Sequence, residues 1–257
     1  MASGSAGEPI GGLVVAGLVG VALMVWLGRV VRVRRGVDRA RVYWSRPRGD
    51  VGGLVYVALG DSAAQGVGAS RPWNGYVGQL AETLRQGSGK PVLVINLSVS
   101  GAKVADVTER QLPRLADLDP DLVPGLVPDL VTVAIGGNDV IGYDRARFEA
   151  DVARLVAGLP EGTFVADVPY FMHGHWETDS AEAAGIIRDA AREAGLVVVP
   201  LNDELRGQGW SAMLTQTAAD AFHPNDHGHA VWARAFWRTI STSGSPPVDQ
   251  SPVHGAG

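Results

Sequence analysis

Val55-Tyr56-Val57-Ala58-Leu59-Gly60-Asp61-Ser62 marks the chain as an α/β protein. Its apolar, β-branched run has strand character and stops abruptly at a Gly-Asp-Ser turn, after which Ala63-Ala64-Gln65-Gly66 leads toward a helical pattern. Such a strand–turn–helix element carries Ser62 at its crest. In open α/β sheets ligands bind outside the carboxyl ends of the strands, so this serine sits where chemistry is expected. Gly, Asp and Ser are also ordinary turn residues, and the tripeptide alone does not separate a nucleophile from a plain turn.

On either side of this element strands and helices alternate, the pattern of a parallel sheet with helices on both faces. Leu54–Leu59, Pro91–Leu97, Leu130–Ile135, Thr163–Val168 and Leu196–Pro200 read as five strands. Helices are expected over Asn74–Gln86, Lys103–Leu112 (stopped by Pro113), Ala146–Leu159, Ser180–Ala194 and Pro224–Ile240. Leu118–Asp129 reads as a Pro-rich loop. The α/β domain spans residues 53–241, and residues 242–257, rich in Ser, Pro and Gly, read as a disordered tail.

The chain has 257 residues, 46% hydrophobic and 19% charged, enough for one substantial core. With no cysteine it has no disulfide, thiolate metal site or cysteine nucleophile. Residues 1–50 hold eight Arg against Glu8, Asp38 and Asp50, whereas the rest holds 14 basic and 24 acidic residues. That acidic body argues against nucleic acid as a partner.

Residues 1–9 read as unstructured. Ile10–Leu27 is an 18-residue run without charge. As a helix it is ~27 Å long, close to the ~30 Å of bilayer hydrocarbon. It is followed by Arg29, Arg32, Arg34 and Arg35, and no positive segment precedes it, so a cleaved signal peptide fits poorly. A single-pass anchor over residues 10–31 is the expectation, with a basic linker over 32–52. The positive-inside rule then puts the α/β body in the cytoplasm.

A serine hydroxyl needs a base to take its proton, and the base must be held in one tautomer. Asp220-Ala221-Phe222-His223-Pro224 offers both groups within five residues: His223 before a helix starting at Pro224, and Asp220 able to fold back onto the ring. Donors for a developing oxyanion are available at two further strand ends. Gly101 follows Asn96-Leu97-Ser98-Val99-Ser100, and Asn138 lies in Ile135-Gly136-Gly137-Asn138-Asp139. Each segment alone also reads as a capping loop or a glycine turn.

Together these four blocks, Gly60-Asp61-Ser62-x-x-x-Gly66, Gly101, Gly136-x-Asn138-Asp139 and Asp220-x-x-His223-Pro224, resemble those of the SGNH hydrolases, also called GDSL esterases/lipases, over roughly residues 53–240. The resemblance implies a flavodoxin-like three-layer α/β/α sandwich. It implies Ser62 as nucleophile, His223 as base and Asp220 as its orienting partner. The backbone N–H groups of Ser62 and Gly101 and the side chain of Asn138 would form the oxyanion hole. Ala63 departs from the pattern, which has Leu there.

The resulting expectation is an esterase or lipase-like serine hydrolase that forms an acyl-enzyme on a small-molecule or lipid ester, without cofactor or metal. Acyl or acetyl transfer, or deacetylation of envelope carbohydrate or lipid, uses the same residues. A non-catalytic flavodoxin-like binding module is the alternative from another class. His173, His175, His223, His227 and His229 lack the carboxylate or cysteine spacing of a metal centre. Trp73, Tyr76, Tyr170, Phe171 and Trp176 flank the strand ends as candidate pocket walls or core residues, and Asn225 and Asp226 read as surface residues favoured by the helix dipole.

Overall fold

The computed structural model describes residues 35–118, 127–172, 174–220 and 222–244, with Gly20, Met24, Val25, Gly28 and Val31 upstream. In it the run Leu54–Gly60 is a strand buried over its whole length. Leu54, Tyr56 and Ala58 face one apolar cluster, and Val55, Val57 and Leu59 face another. Side chains alternate along a strand, so one that buries both sets lies inside a sheet covered on both faces.

The strands are β1 (Arg48–Gly49), β2 (Leu54–Gly60), β3 (Val92–Asn96), β4 (Leu130–Ala134), β5 (Phe164–Ala166) and β6 (Val197–Val199). Their order is β1-β3-β2-β4-β5-β6. β2 to β6 pair in parallel, in the 2-1-3-4-5 order of a doubly wound sheet. One face is covered by α1 (helical over the described residues 35–43), α2 (Tyr76–Ser88) and a long C-terminal helix, Asp226–Thr242. The opposite face carries α3, α4 (Arg145–Gly158) and α5 (His175–Glu193), with α3 running from Val104 to Ala116. Two short helices, α6 (Leu201–Gly207) and α7 (Trp210–Gln216), precede the C-terminal one, which is α8.

The five expected strands are all present, but the sheet has six. The extra strand, β1, pairs antiparallel with β3 through Arg48↔Val94 and Gly49↔Leu93, inside the segment read as a basic linker. Nothing in Arg-Pro-Arg-Gly has strand periodicity. The edge of β3 supplies the pairing, and at Gly49 a Cβ would meet the Val92 carbonyl oxygen at 2.0 Å. Just upstream, Ala40 and Trp44 are buried in the core beside Val67 and Tyr76, while Arg35, Arg39 and Arg41 are exposed.

Pro113 does not end its helix. Val104–Asp106 passes through a π-helical turn, Val107–Gln111, into Leu112–Ala116. The Leu112 N–H reaches back to the Val107 carbonyl, and Pro113 falls in the first turn of the next piece, where no N–H is required. α8 likewise begins at Asp226 rather than Pro224, because Asn225 caps it by accepting from the N–H groups of His227 and Gly228.

Among the described residues no helix is long and apolar enough to cross a membrane. Most of Ile10–Leu27, the expected anchor, lies outside the described residues. So do residues 1–9, 119–126 of the Pro-rich loop, His173, and 245–257 of the tail.

Candidate active site

β2 ends at Gly60, whose φ of 141° and close approach to β4 demand glycine: a Cβ would sit 2.2 Å from the Ala134 carbonyl oxygen. The buried Gln111 amide closes the strand end from α3. Its Oε1 accepts from the Gly60 N–H at 2.9 Å, and its Nε2 donates to the Gly60 carbonyl at 2.8 Å. Beyond this clamp the chain winds through tight turns, with Gly66 N–H on the Ala63 carbonyl and Val67 N–H on the Ser62 carbonyl. Ser62 therefore projects at the carboxyl end of β2, where the sheet order reverses between β3 and β4.

His223 comes to it from 161 residues away, with Nε2 2.9 Å from Ser62 Oγ. The loop bearing it is folded by the Ala218 N–H on the His223 carbonyl and by a bridge between Thr217 and Pro224. Asp220 folds back as the spacing suggested. Its Oδ1 accepts from the N–H groups of Phe222 and His223, and its Oδ2 lies 2.6 Å from His223 Nδ1. Burial pushes the Asp220 carboxyl up, but the imidazole hydrogen bond and charge, with the two backbone donors, outweigh it and hold the group below its ordinary value. A proton on Nδ1 facing this carboxylate leaves Nε2 free to accept from the serine.

The two further candidate donors follow the neighbouring strands β3 and β4. Asn138 Nδ2 donates to the Ala102 carbonyl at 2.9 Å and, more weakly, to Asp61 Oδ2 at 3.3 Å, which sets the amide over the residue preceding Ser62. Gly101 immediately precedes Ala102 in the turn after β3 and has φ of 82°. All five residues picked out in the sequence thus converge on one end of the sheet.

The profile of the GDSL-like Lipase/Acylhydrolase family matches residues 58–231. The chain belongs to this family. It is accordingly an ester-hydrolysing enzyme, and the non-catalytic alternative falls away. Solved structures with the same fold include an acetyl xylan esterase from Geobacillus stearothermophilus, 23% identical with a TM-score of 0.57, covering 73% of this chain and 94% of that one. Another is LAE5, an alpha/beta hydrolase from the metagenome of Lake Arreo, Spain, 25% identical with a TM-score of 0.55, covering 74% and 96%. No curated protein matches the chain.

In this GDSL-like acylhydrolase a cleft opens beside Ser62 and His223, walled by Pro169, Tyr170, Phe171, Met172, Leu205 and Phe222. Phe222 stacks on Phe171 with centroids 5.6 Å apart and presents its ring to His223. Of the aromatic candidates, Tyr170 and Phe171 line the cleft. Tyr76 is fully buried and stacked on Phe236, Trp73 lies against Trp44, and Trp176 packs behind Phe171.

His229 has a structural occupation. Its Nδ1 accepts from the Tyr76 N–H and its Nε2 donates to the Val67 carbonyl, joining α2, the serine loop and α8. Burial pushes its pKa down to about 4, so the ring is neutral. Among the described residues no three His, Asp or Glu side chains are grouped to hold a metal ion. Asp226 is no bystander either: both carboxylate oxygens accept from Ser70, one from its N–H and one from its hydroxyl, each at 2.7 Å.

Sequence reasoning missed the supporting groups, namely Gln65, Gln111, Trp44 and the part played by Asp61. Asp61 is buried, and burial pushes its carboxyl up to about 6 despite the Ala63 N–H and the neighbouring His223. A lone glutamine in a helix or turn carries no local signal that its amide will meet a strand end 51 residues away.

Proposed function

We propose that the enzyme cleaves carboxylic esters by an acyl-enzyme route. Ser62 Oγ attacks the acyl carbon while His223 Nε2 takes its proton, and Asp220 holds the imidazole and balances the charge it acquires. The oxyanion that forms is met by the N–H groups of Ser62 and Gly101 and by the Asn138 amide, which exchanges its long bond to Asp61 for the stronger charged acceptor. Collapse expels the alcohol, which leaves with the proton from His223. Water activated by the same base then releases the acid.

The observation that carries this reading is the unbroken line from Ser62 Oγ to His223 Nε2 at 2.9 Å and from His223 Nδ1 to Asp220 Oδ2 at 2.6 Å. Catalytic mutants of the Geobacillus esterase replace a serine, an aspartate and a histidine, the last two spaced as Asp220 and His223 are, which supports the same assignment here. A fluorophosphonate probe tests it: labelling of wild type and loss of labelling in Ser62→Ala is the expected result. Labelling that persists in the variant would remove Ser62 from the role.

The cleft walls favour an apolar acyl or alcohol group over a sugar, since aromatic and aliphatic surface bears few groups to pair with hydroxyls. The acetyl xylan esterase neighbours favour a second reading, removal of acetyl groups from carbohydrate by the same residues. p-Nitrophenyl esters of graded length beside acetylated xylo-oligosaccharides separate the two. For the uncharged run Ile10–Leu27 with its trailing arginines, a single membrane anchor with a cytoplasmic body remains our proposal. A reporter fused to the C-terminus that responds only outside the cell would overturn that orientation.

A further inference from the structure

We propose that Gln65 is a positioning residue for the reaction: its side-chain amide ties down the first half of the turn after β3 and so sets the direction in which the Gly101 N–H points. This rests on reading Gly101 as an oxyanion donor.

Val99–Ala102 is a turn closed by the Ala102 N–H on the Val99 carbonyl at 3.0 Å, with Gly101 at φ 82°. That is the third position of a type II turn. Type I and type II turns share their ends and differ by a flip of the central peptide, here the one joining Ser100 to Gly101. The flip reverses the Gly101 N–H while barely moving the flanking chain, and glycine presents no Cβ to resist it. A donor aimed at a substrate oxygen therefore needs something to hold this peptide still.

Gln65 supplies the hold on the chain leading into that peptide. Its Nε2 donates to the Ser98 carbonyl at 2.8 Å, and its Oε1 accepts from the Ser100 hydroxyl at 2.6 Å. The bracket is itself anchored. Gln65 is buried, its own N–H donates to the Asp61 carbonyl at 3.2 Å, and its carbonyl accepts the Trp44 indole N–H at 3.0 Å. A second tie runs through Asn96, which donates to the Ala64 carbonyl and accepts from the Ser98 N–H. The loop that carries Ser62 and the turn that carries Gly101 are thus built as one piece, with nucleophile and donor held in register.

The test compares a p-nitrophenyl ester with its thiono analogue, in which the carbonyl oxygen is replaced by sulfur. Sulfur is larger and a weaker acceptor, so a well-aimed hole favours the oxygen substrate and a disordered one loses that preference. Gln65→Ala should lower kcat by about 10- to 100-fold with KM little changed, and the oxygen-over-sulfur preference should fall with it. Ser100→Ala removes one arm of the bracket from a half-buried position and should move both quantities the same way by less, which keeps the test open if Gln65→Ala fails to fold. Asn138→Ala is measured alongside. If it shifts the preference and the Gln65 and Ser100 variants do not, the hole stands and the positioning role of Gln65 is wrong. If none of the three shifts it, the oxyanion reading falls and takes this proposal with it.

Discussion

Gly68 packs directly beneath His223: a Cβ at position 68 would lie 2.9 Å from the Cβ of His223 and 2.3 Å from the Pro224 carbonyl oxygen. Gly68 also has φ of 95°, a conformation that side chains resist. The serine loop and the histidine loop therefore meet as backbone against backbone, and the Ser70–Asp226 bonds close the same seam two residues further on. Gly68→Ala should destabilise the fold by at least about 2 kcal/mol, from the positive φ and the overpacking together. Activity should fall beyond what the unfolded fraction explains, because the imidazole is displaced from Ser62. Urea melts and kcat on one sample check both halves.

Asn138→Ala should cost about 10²–10³-fold in kcat if its amide meets the oxyanion. Asp220→Asn should leave the fold intact and cost about 10³–10⁴-fold, since the amide no longer balances an imidazolium. Steady-state kinetics on a p-nitrophenyl ester measure both, and a wild-type rate in either variant removes that residue from its role.

Gln111→Leu leaves the Gly60 N–H without its partner in the interior, while the Gly60 carbonyl keeps the Val99 N–H. The expected loss is about 1–3 kcal/mol, seen as a lower denaturation midpoint at unchanged slope.

His229 contributes a pH dependence whose sign follows from its burial. Its folded pKa is about 4 against an ordinary 6.5, so the unfolded chain takes up the proton first as pH falls. Its contribution to stability is present above pH 6.5 and is lost as pH drops from there toward 4. His229→Gln removes the titration, and its stability deficit relative to wild type should shrink by about 2 kcal/mol between pH 7 and pH 5. A deficit constant across that range would mean that the buried ring does not titrate as its surroundings demand.

Trp44 is buried in the core and donates its indole N–H to Gln65, although it lies in the segment read as a linker. A body that begins at Gly49 should therefore be about 3–5 kcal/mol less stable than one that begins at Arg35. Equal melting of the two would show that residues 35–48 add nothing to the fold.

The parallel sheet was legible because Val55–Leu59 and its four counterparts are short apolar runs bounded by turn residues, a pattern set by local burial alone. The candidate site was legible for a related reason: Ser62, Asn138 and the Asp220–His223 pair each sit in a short block whose residue types and internal spacing are local properties. The helix start at Pro224 was misread because Asn225 competes for the cap, and the helix through Pro113 because a π turn absorbs the proline. What no stretch of sequence contains is a contact between distant stretches. The pairing of Arg48–Gly49 with β3, the Gln111 clamp on Gly60, the bracket of Gln65 around Ser98 and Ser100, and the seating of His223 on Gly68 depend on the folded sheet bringing those groups together. Period and turn chemistry determined the frame, whereas hydrogen bonds across 33 to 161 residues of chain decided how the site is held.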